Sequence, residues 1–168
     1  MRTLLLLRHA KSSWDDHSLA DRDRPLNARG LAAAPFIGER LSSLKPRPDV
    51  IVSSPAVRAR ETASLIRAAG LREVPLVLNE KIYEASPNTL REVALSFPED
   101  ASCVLVVGHN PGLEGFIHYL TGVLEPMPTA ALASMQLNIE NWSDIDHLCG
   151  KILFVLRPRD EMRRLGLE

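Results

Sequence analysis

Residues Thr3–Leu7 form an unbroken apolar run that stops at Arg8 and His9. A run without polar alternation is the pattern of a central strand covered on both faces. Cys103–Val107 has the same character and leads into Gly108-His109. Val50–Ser53 and Pro75–Leu78 are shorter apolar runs, the second expected at a sheet edge. Ala133–Ile139 and Ile152–Leu156 predict two final strands, joined through the turn DIDHLCG. Between these runs the apolar positions recur at helical spacing. Asn27 caps a stretch that carries Leu31, Ala34, Ile37, Gly38 and Leu41 on one side and ends before Lys45-Pro46. Ser54-Pro55 reads as a cap followed by a first-turn proline, opening a helix to Ala69 with Gly70 as its stop. Ser86-Pro87 opens a helix towards Leu95, and Asn110-Pro111 one towards Leu120. The tail DEMRRLGLE is charged and is expected to be mobile or lightly docked.

Strands alternating with helices imply an α/β three-layer sandwich, a mainly parallel central sheet flanked by helices. The last two strands have no helix between them, so one antiparallel edge pairing is expected. Ligands of such sheets bind beyond the carboxyl ends of the strands.

Composition narrows the function classes. The chain has 168 residues, 45% hydrophobic and 24% charged, with a net charge of −1. That fits a single domain spanning 1–168, with a mobile tail expected over 158–168. A near-neutral balance gives no footprint for nucleic acid or an anionic membrane. No stretch approaches the ~20 apolar residues of a membrane span, and TLLLL is too short for a leader's apolar region. A cytoplasmic, monomeric protein is the expectation. Cys103 and Cys149 do not form a disulfide framework, and no CxxC, HxxxH or HxH spacing supports a metal site.

Three polar pieces fall at predicted strand carboxyl ends: Arg8-His9, SSPAVRARET and GHNPG. Arg8, His9, Arg58 and His109 can therefore converge, beside a helix start whose free N–H groups carry partial positive charge. Such a pocket in a neutral protein suits a phosphoryl group, or a phosphate or sulfate ion. Arginine holds two phosphate oxygens at once. A neutral imidazole can also accept a phosphoryl group, with the flanking cations stabilising the transferring oxygens. Lys11 and Ser12 lie next to His9 and are weighed as further substrate contacts.

LLLLRHAKSSW, SSPAVRARET and VVGHNPGLEG, in that order, resemble the histidine phosphatase superfamily, and most of all its SixA-type phosphohistidine phosphatases. The resemblance covers Met1 to Leu120, with DRDRPLNARG fitting the loop before the first helix. It implies a phosphoglycerate mutase-like fold and a cofactor-independent reaction. His9 would be the nucleophile, Arg8 and Arg58 would bind phosphate, and His109 would complete the pocket. The implied substrate is phosphohistidine on a signalling phosphotransfer protein. Ala10 stands where the wider family has glycine, and Asn110 where acid phosphatases have a proton-donating aspartate. The phosphoglycerate mutase branch takes its donor glutamate from a mid-chain loop, and Glu84 lies in roughly that region.

Rival readings are a phosphomonoesterase or mutase acting on a small phosphorylated metabolite, and a phosphate-reading binding module without turnover. Elsewhere the ordinary roles come first. Arg22 and Arg24 read as a charged loop or a substrate rim, and Arg60 as a solvated helix residue beside Glu61. Thr62 is weighed between helix packing and a site role, and Trp14 between core packing and the pocket mouth. His17, His118 and His147 are surface or structural.

Overall fold

The computed structural model describes residues 1–167. Strand β1 (Arg2–Arg8) is followed by α1 (Ala28–Ser42), β2 (Val50–Ser53), α2 (Val57–Gly70) and β3 (Leu76–Leu78). Then come α3 (Pro87–Leu95), β4 (Cys103–Gly108), α4 (Gly112–Thr121), β5 (Leu132–Leu137), β6 (Gly150–Leu156) and α5 (Pro158–Arg164). The six strands form one sheet in the order β3-β2-β4-β1-β5-β6. β3, β2, β4 and β1 pair in parallel, whereas β5 is antiparallel to β1 and β6 to β5. The α/β sandwich is as the alternation of runs predicts, with β3 at one edge; instead of the one antiparallel pairing expected there are two, because β5 also runs against β1.

The central strands are apolar throughout because both of their faces are covered. Leu4 and Leu6 of β1 pack with Val104, Val106 and the residues of α3 and α4 on one side. Leu5 and Leu7 pack with Leu105, Val107 and the residues of α1 and α2 on the other. All four leucines are essentially excluded from water. Each contributes about 1.5–3 kcal/mol of hydrophobic stabilisation. The apolar run ends at Arg8, and the buried residue that follows it, His9, is polar.

Several element ends differ from expectation. Helix α2 starts later than Ser54-Pro55, with Ala56 as its N-cap and no side-chain cap bond. Helix α4 starts at Gly112, after Pro111. β5 and β6 each begin before the expected residue, because the apolar run is preceded by residues that still pair in the ladder. The tail is lightly docked: α5 buries Pro158 and is tied to α1 by the Arg40–Glu161 ion pair at 3.4 Å. Asn27 does cap α1, its side chain accepting the Gly30 N–H at 3.0 Å. No helix among the described residues is long and apolar enough to cross a membrane.

Candidate active site

Strands β1, β4 and β2 end level with one another. Their registers align Arg8 with Gly108 and Ser53 with Val107. The next residues continue the ladder, the His9 N–H donating to the Gly108 carbonyl and the Ser54 N–H to the Val107 carbonyl, both at 3.0 Å. His9, Ser54 and His109 are thus fixed side by side by backbone pairing. The two imidazole rings lie 5.1 Å apart, centre to centre, at 51°.

His9 Nδ1 is 2.7 Å from the Ala10 carbonyl oxygen. A carbonyl only accepts, so Nδ1 carries the proton and the lone pair of the neutral ring sits on Nε2. Burial keeps the ring neutral, with its pKa pushed down to about 3 against the raising effect of the Ala10 carbonyl bond, and the charges of Arg58 and Arg8 push the same way as burial. The loop bearing His9 is itself pinned. The Ala10 N–H donates to Thr62 Oγ1 at 3.0 Å, and Thr62 donates in turn to the Arg58 carbonyl at 2.7 Å. Thr62 therefore ties the strand end to α2, a role beyond helix packing.

His109 Nε2 lies 2.8 Å from Ser54 Oγ, which also accepts the Ala56 N–H at 3.2 Å. The hydroxyl still has its own proton to give, and the tautomer that uses it has Ser54 donating to Nε2. His109 then presents its proton on Nδ1. Burial, reinforced by Arg58, lowers the His109 pKa to about 4. Three N–H-bearing nitrogens around the nucleophile are buried without a hydrogen-bond partner: Arg8 Nε, Arg58 Nε and His109 Nδ1. Unpaired buried donors are costly, commonly about 1–3 kcal/mol each. Gathered at one strand end, they form a cradle for an anion with several oxygens.

The outer ends of both arginines are held by protein groups. Arg8 Nη1 donates to the Met127 carbonyl at 3.1 Å. Arg58 Nη1 and Nη2 donate to the Asp21 carbonyl and to Asp21 Oδ2 at 2.7 and 3.0 Å. Asp21 also accepts from Tyr83 Oη at 2.7 Å and from Arg24 Nη2 at 3.1 Å. Burial opposes ionisation of Asp21, but the bonds from Tyr83, Arg58 and Arg24 prevail and hold its pKa at about 2. Burial and that carboxylate push the Tyr83 hydroxyl up to about 12. The Tyr83 ring meets His109 edge-on at 5.7 Å.

Of the residues expected at the site, Arg8, His9, Arg58 and His109 are brought together. Ser12 and Lys11 are not placed with them. The Ser12 hydroxyl accepts from Arg24 Nη1 at 2.9 Å, and the Lys11 side chain is exposed along a neighbouring cleft. Arg24, expected in a solvated loop, is buried because it braces Ser12 and Asp21 together. Trp14 is 62% exposed, so it is not core; the Arg24 guanidinium sits 3.5 Å over its ring. Arg22 pairs with Glu80 at 2.7 Å on the surface, and Arg60 is exposed as expected. Glu84 is exposed, on a left-handed backbone with φ 53°, and no hydrogen bond ties it to the histidines. His17, His118 and His147 are exposed.

Sequence reasoning missed Asp21, Tyr83 and the bond of Ser54 to His109. Ser54 was within reach, since it stands at the same strand end as the two histidines. Asp21 and Tyr83 carry no local signature, because they meet Arg58 only through the folded loops. Among the described residues, no group of three or more His, Cys, Asp or Glu side chains could hold a metal ion.

Comparison with known proteins places this geometry. The family model of the histidine phosphatase superfamily (branch 1) matches residues 4–94. An uncharacterized chloroplastic protein of Arabidopsis thaliana is 34% identical over 158 residues, covering 89% of this chain and 72% of the relative. An uncharacterized protein of Mycobacterium tuberculosis is 30% identical over 164 residues, covering 91% of this chain and 100% of the relative. Among solved structures, a protein of Agrobacterium tumefaciens, provisionally assigned as the phosphohistidine phosphatase SixA, superposes with a TM-score of 0.80 at 27% identity, covering 94% of this chain and 98% of its own. A protein histidine phosphatase SixA complexed with tungstate shares the fold, with a TM-score of 0.81 at 18% identity over 95% of this chain and 99% of its own.

Proposed function

The chain belongs to the histidine phosphatase superfamily, and from that membership we propose that it hydrolyses phosphohistidine on a phosphotransfer protein through a phosphorylated His9. The family and the SixA-type architecture support a phosphatase. The observation that carries the finer reading is the state of the polar groups at the strand end. His9 offers an unprotonated Nε2, and Arg8 Nε, Arg58 Nε and His109 Nδ1 stand unpaired around it.

In the first step Nε2 of His9 attacks phosphorus from the side opposite the leaving group. The new phosphorus–nitrogen bond forms as the substrate's breaks, and the bonding pair leaves on that nitrogen of the substrate's imidazole, whose other nitrogen already carries a proton, so that the ring departs neutral. Arg8, Arg58 and His109 hold the three transferring oxygens and stabilise their charge. In the second step water attacks the same phosphorus, inorganic phosphate departs and His9 regains its lone pair.

The surrounding carboxylates support an easily displaced leaving group. Asp21 is held ionised by Tyr83, Arg58 and Arg24, Glu114 accepts from Asn110 and the Met127 N–H, and Glu84 is exposed. None is set up as a proton donor beside His9. An alkoxide leaving group draws on a positioned acid for roughly 10²–10⁴ in rate, whereas imidazole leaves from a labile bond without one.

The test compares phosphate release from a phosphohistidine-bearing phosphotransfer domain with release from an aryl phosphate, for wild type and His9→Ala. Fast release from the phosphoprotein, abolished in His9→Ala while oxyanion binding persists, is expected. A better aryl ester would overturn the phosphohistidine assignment. Phosphate binding without release from either would make the chain a binding module.

A further inference from the structure

Beside the strand end runs a second concave feature, a cleft of about 590 Å³ between α1, α5 and the segment 128–130. It shares a wall with the site. The Ala130 N–H is bonded to the carbonyls of both Arg8 and His9 at 3.1 Å, and Lys11, two residues beyond His9, lines the cleft mouth. The apolar part of the lining is built from Ala28, Ala32, Ala33, Pro128 and Met162 among others. The rim is cationic. Lys11 and Arg29 are exposed, and no acidic group among the described residues pairs with either. Arg157 is already occupied by Glu125 at 2.5 Å, and among the described residues Asp160 is the one carboxylate that lines the cleft.

The volume falls within the roughly 300–1,000 Å³ of ligand sites, but the lining differs from a small-molecule pocket. Such pockets fix their guests with a few converging polar groups. Here the apolar lining includes alanine, proline and methionine side chains, and the charges are carried on long, exposed stems. That combination gives non-directional apolar contact with electrostatic selection at the edge, which suits a chain segment rather than a metabolite.

We propose that this cleft docks an acidic, apolar peptide segment of the phosphorylated protein, next to the side chain whose phosphoryl group enters the catalytic pocket. The inference rests on the reading of His9 and its neighbours as a phosphohistidine phosphatase, and it adds the chemistry by which the protein substrate is chosen. Acidic residues of the segment meet Lys11 and Arg29, and its apolar residues lie on the apolar lining.

The experiment separates docking from turnover. Fluorescence anisotropy follows a short, labelled, unphosphorylated peptide of alternating glutamate and leucine, with a lysine–leucine peptide as control. Wild type is expected to bind the acidic peptide in preference. Arg29→Glu combined with Ala32→Glu, on the exposed face of α1, should weaken it roughly fivefold to tenfold, with aryl phosphate hydrolysis unchanged. Ala32→Glu alone should show part of the loss. In turnover, a phosphohistidine peptide with glutamate and leucine flanks should show the same rise in KM in the double variant, with kcat held. Equal binding of the two peptides, or binding indifferent to the double variant, overturns the docking. Arg29-dependent binding of citrate without binding of the peptide overturns it in favour of a small anion. Peptide binding with the expected dependence, but no phosphohistidine hydrolysis, leaves the docking standing and removes the substrate assignment instead.

Discussion

His9 and His109 stay uncharged amid two arginines because the fold withholds water from them, and that neutrality has a cost at low pH. Their pKa values of about 3 and about 4 lie below the unfolded value of 6.5. Between pH 6.5 and about 4 the unfolded chain binds protons at these positions and the folded chain does not. Stability is therefore full above pH 6.5 and is lost as pH falls, at roughly 1.4 kcal/mol per pH unit per histidine. Thermal unfolding measured from pH 7 to pH 4 should show this decline, and His109→Gln should halve its slope. Asp21 acts at one remove. Asp21→Asn keeps the shape of the side chain but loosens its grip on Arg58, Arg24 and Tyr83. Steady-state kinetics should show a severalfold rise in KM for the variant. kcat should fall less, and the far-ultraviolet circular dichroism should be unchanged. A pure folding role would instead lower the active fraction at unaltered KM.

Elements set what those residues can do. β1 is the spine of the molecule, paired with β4 on one side and β5 on the other, and Leu6→Ala should cost about 2–5 kcal/mol in denaturant unfolding. Helices α1 and α2 cross closely because Gly38 has no side chain, a Cβ there lying 2.6 Å from the Ile66 carbonyl oxygen. Gly30 does the same at the site, where a Cβ would sit 2.2 Å from the Lys11 carbonyl oxygen. Thr62→Val should leave the Ala10 N–H without its acceptor, at a cost of about 1–3 kcal/mol, and should slow turnover more than it weakens phosphate binding. The central strands and the level of their ends were legible in the sequence, because buried strands have to be apolar and such a run has to stop at the layer edge. Arg8, His9 and His109 were legible for the same reason, and Arg58 from its place in the first turn of the helix that follows β2. The starts of α2 and α4 were not, since Ser54 bonds both His109 and the N–H of Ala56, which takes the capping position of α2, and Pro111 takes that of α4.

At the scale of the whole molecule, one sheet divides two apolar clusters that share β1, β2 and β4. A loss of either cluster strips a face from the same strands, so the two should unfold together. The tryptophans provide separate views: Trp142 is fully buried against α3, and Trp14 is exposed beside Arg24 near the site. Tryptophan fluorescence and circular dichroism should give coincident midpoints in urea. Tungstate or phosphate should perturb the emission of Trp14 and leave Trp142 untouched, which Trp14→Phe would verify. The loops over the site were the part least legible in the sequence. The 13–24 segment looks hydrophilic and uncommitted, yet it delivers Asp21 across the fold to Arg58 and closes on itself through Arg24 and Ser12. Long-range pairs of this kind leave no periodic trace in the chain.

The short bond from His9 Nδ1 to the Ala10 carbonyl also fixes a regiochemistry. With Nδ1 engaged, only Nε2 is open to phosphorus, so a phosphorylated enzyme would carry the 3-phospho isomer of histidine and not the 1-phospho isomer. Isomer-selective antibodies, or the phosphorus-31 chemical shift of the trapped enzyme, should report that single species.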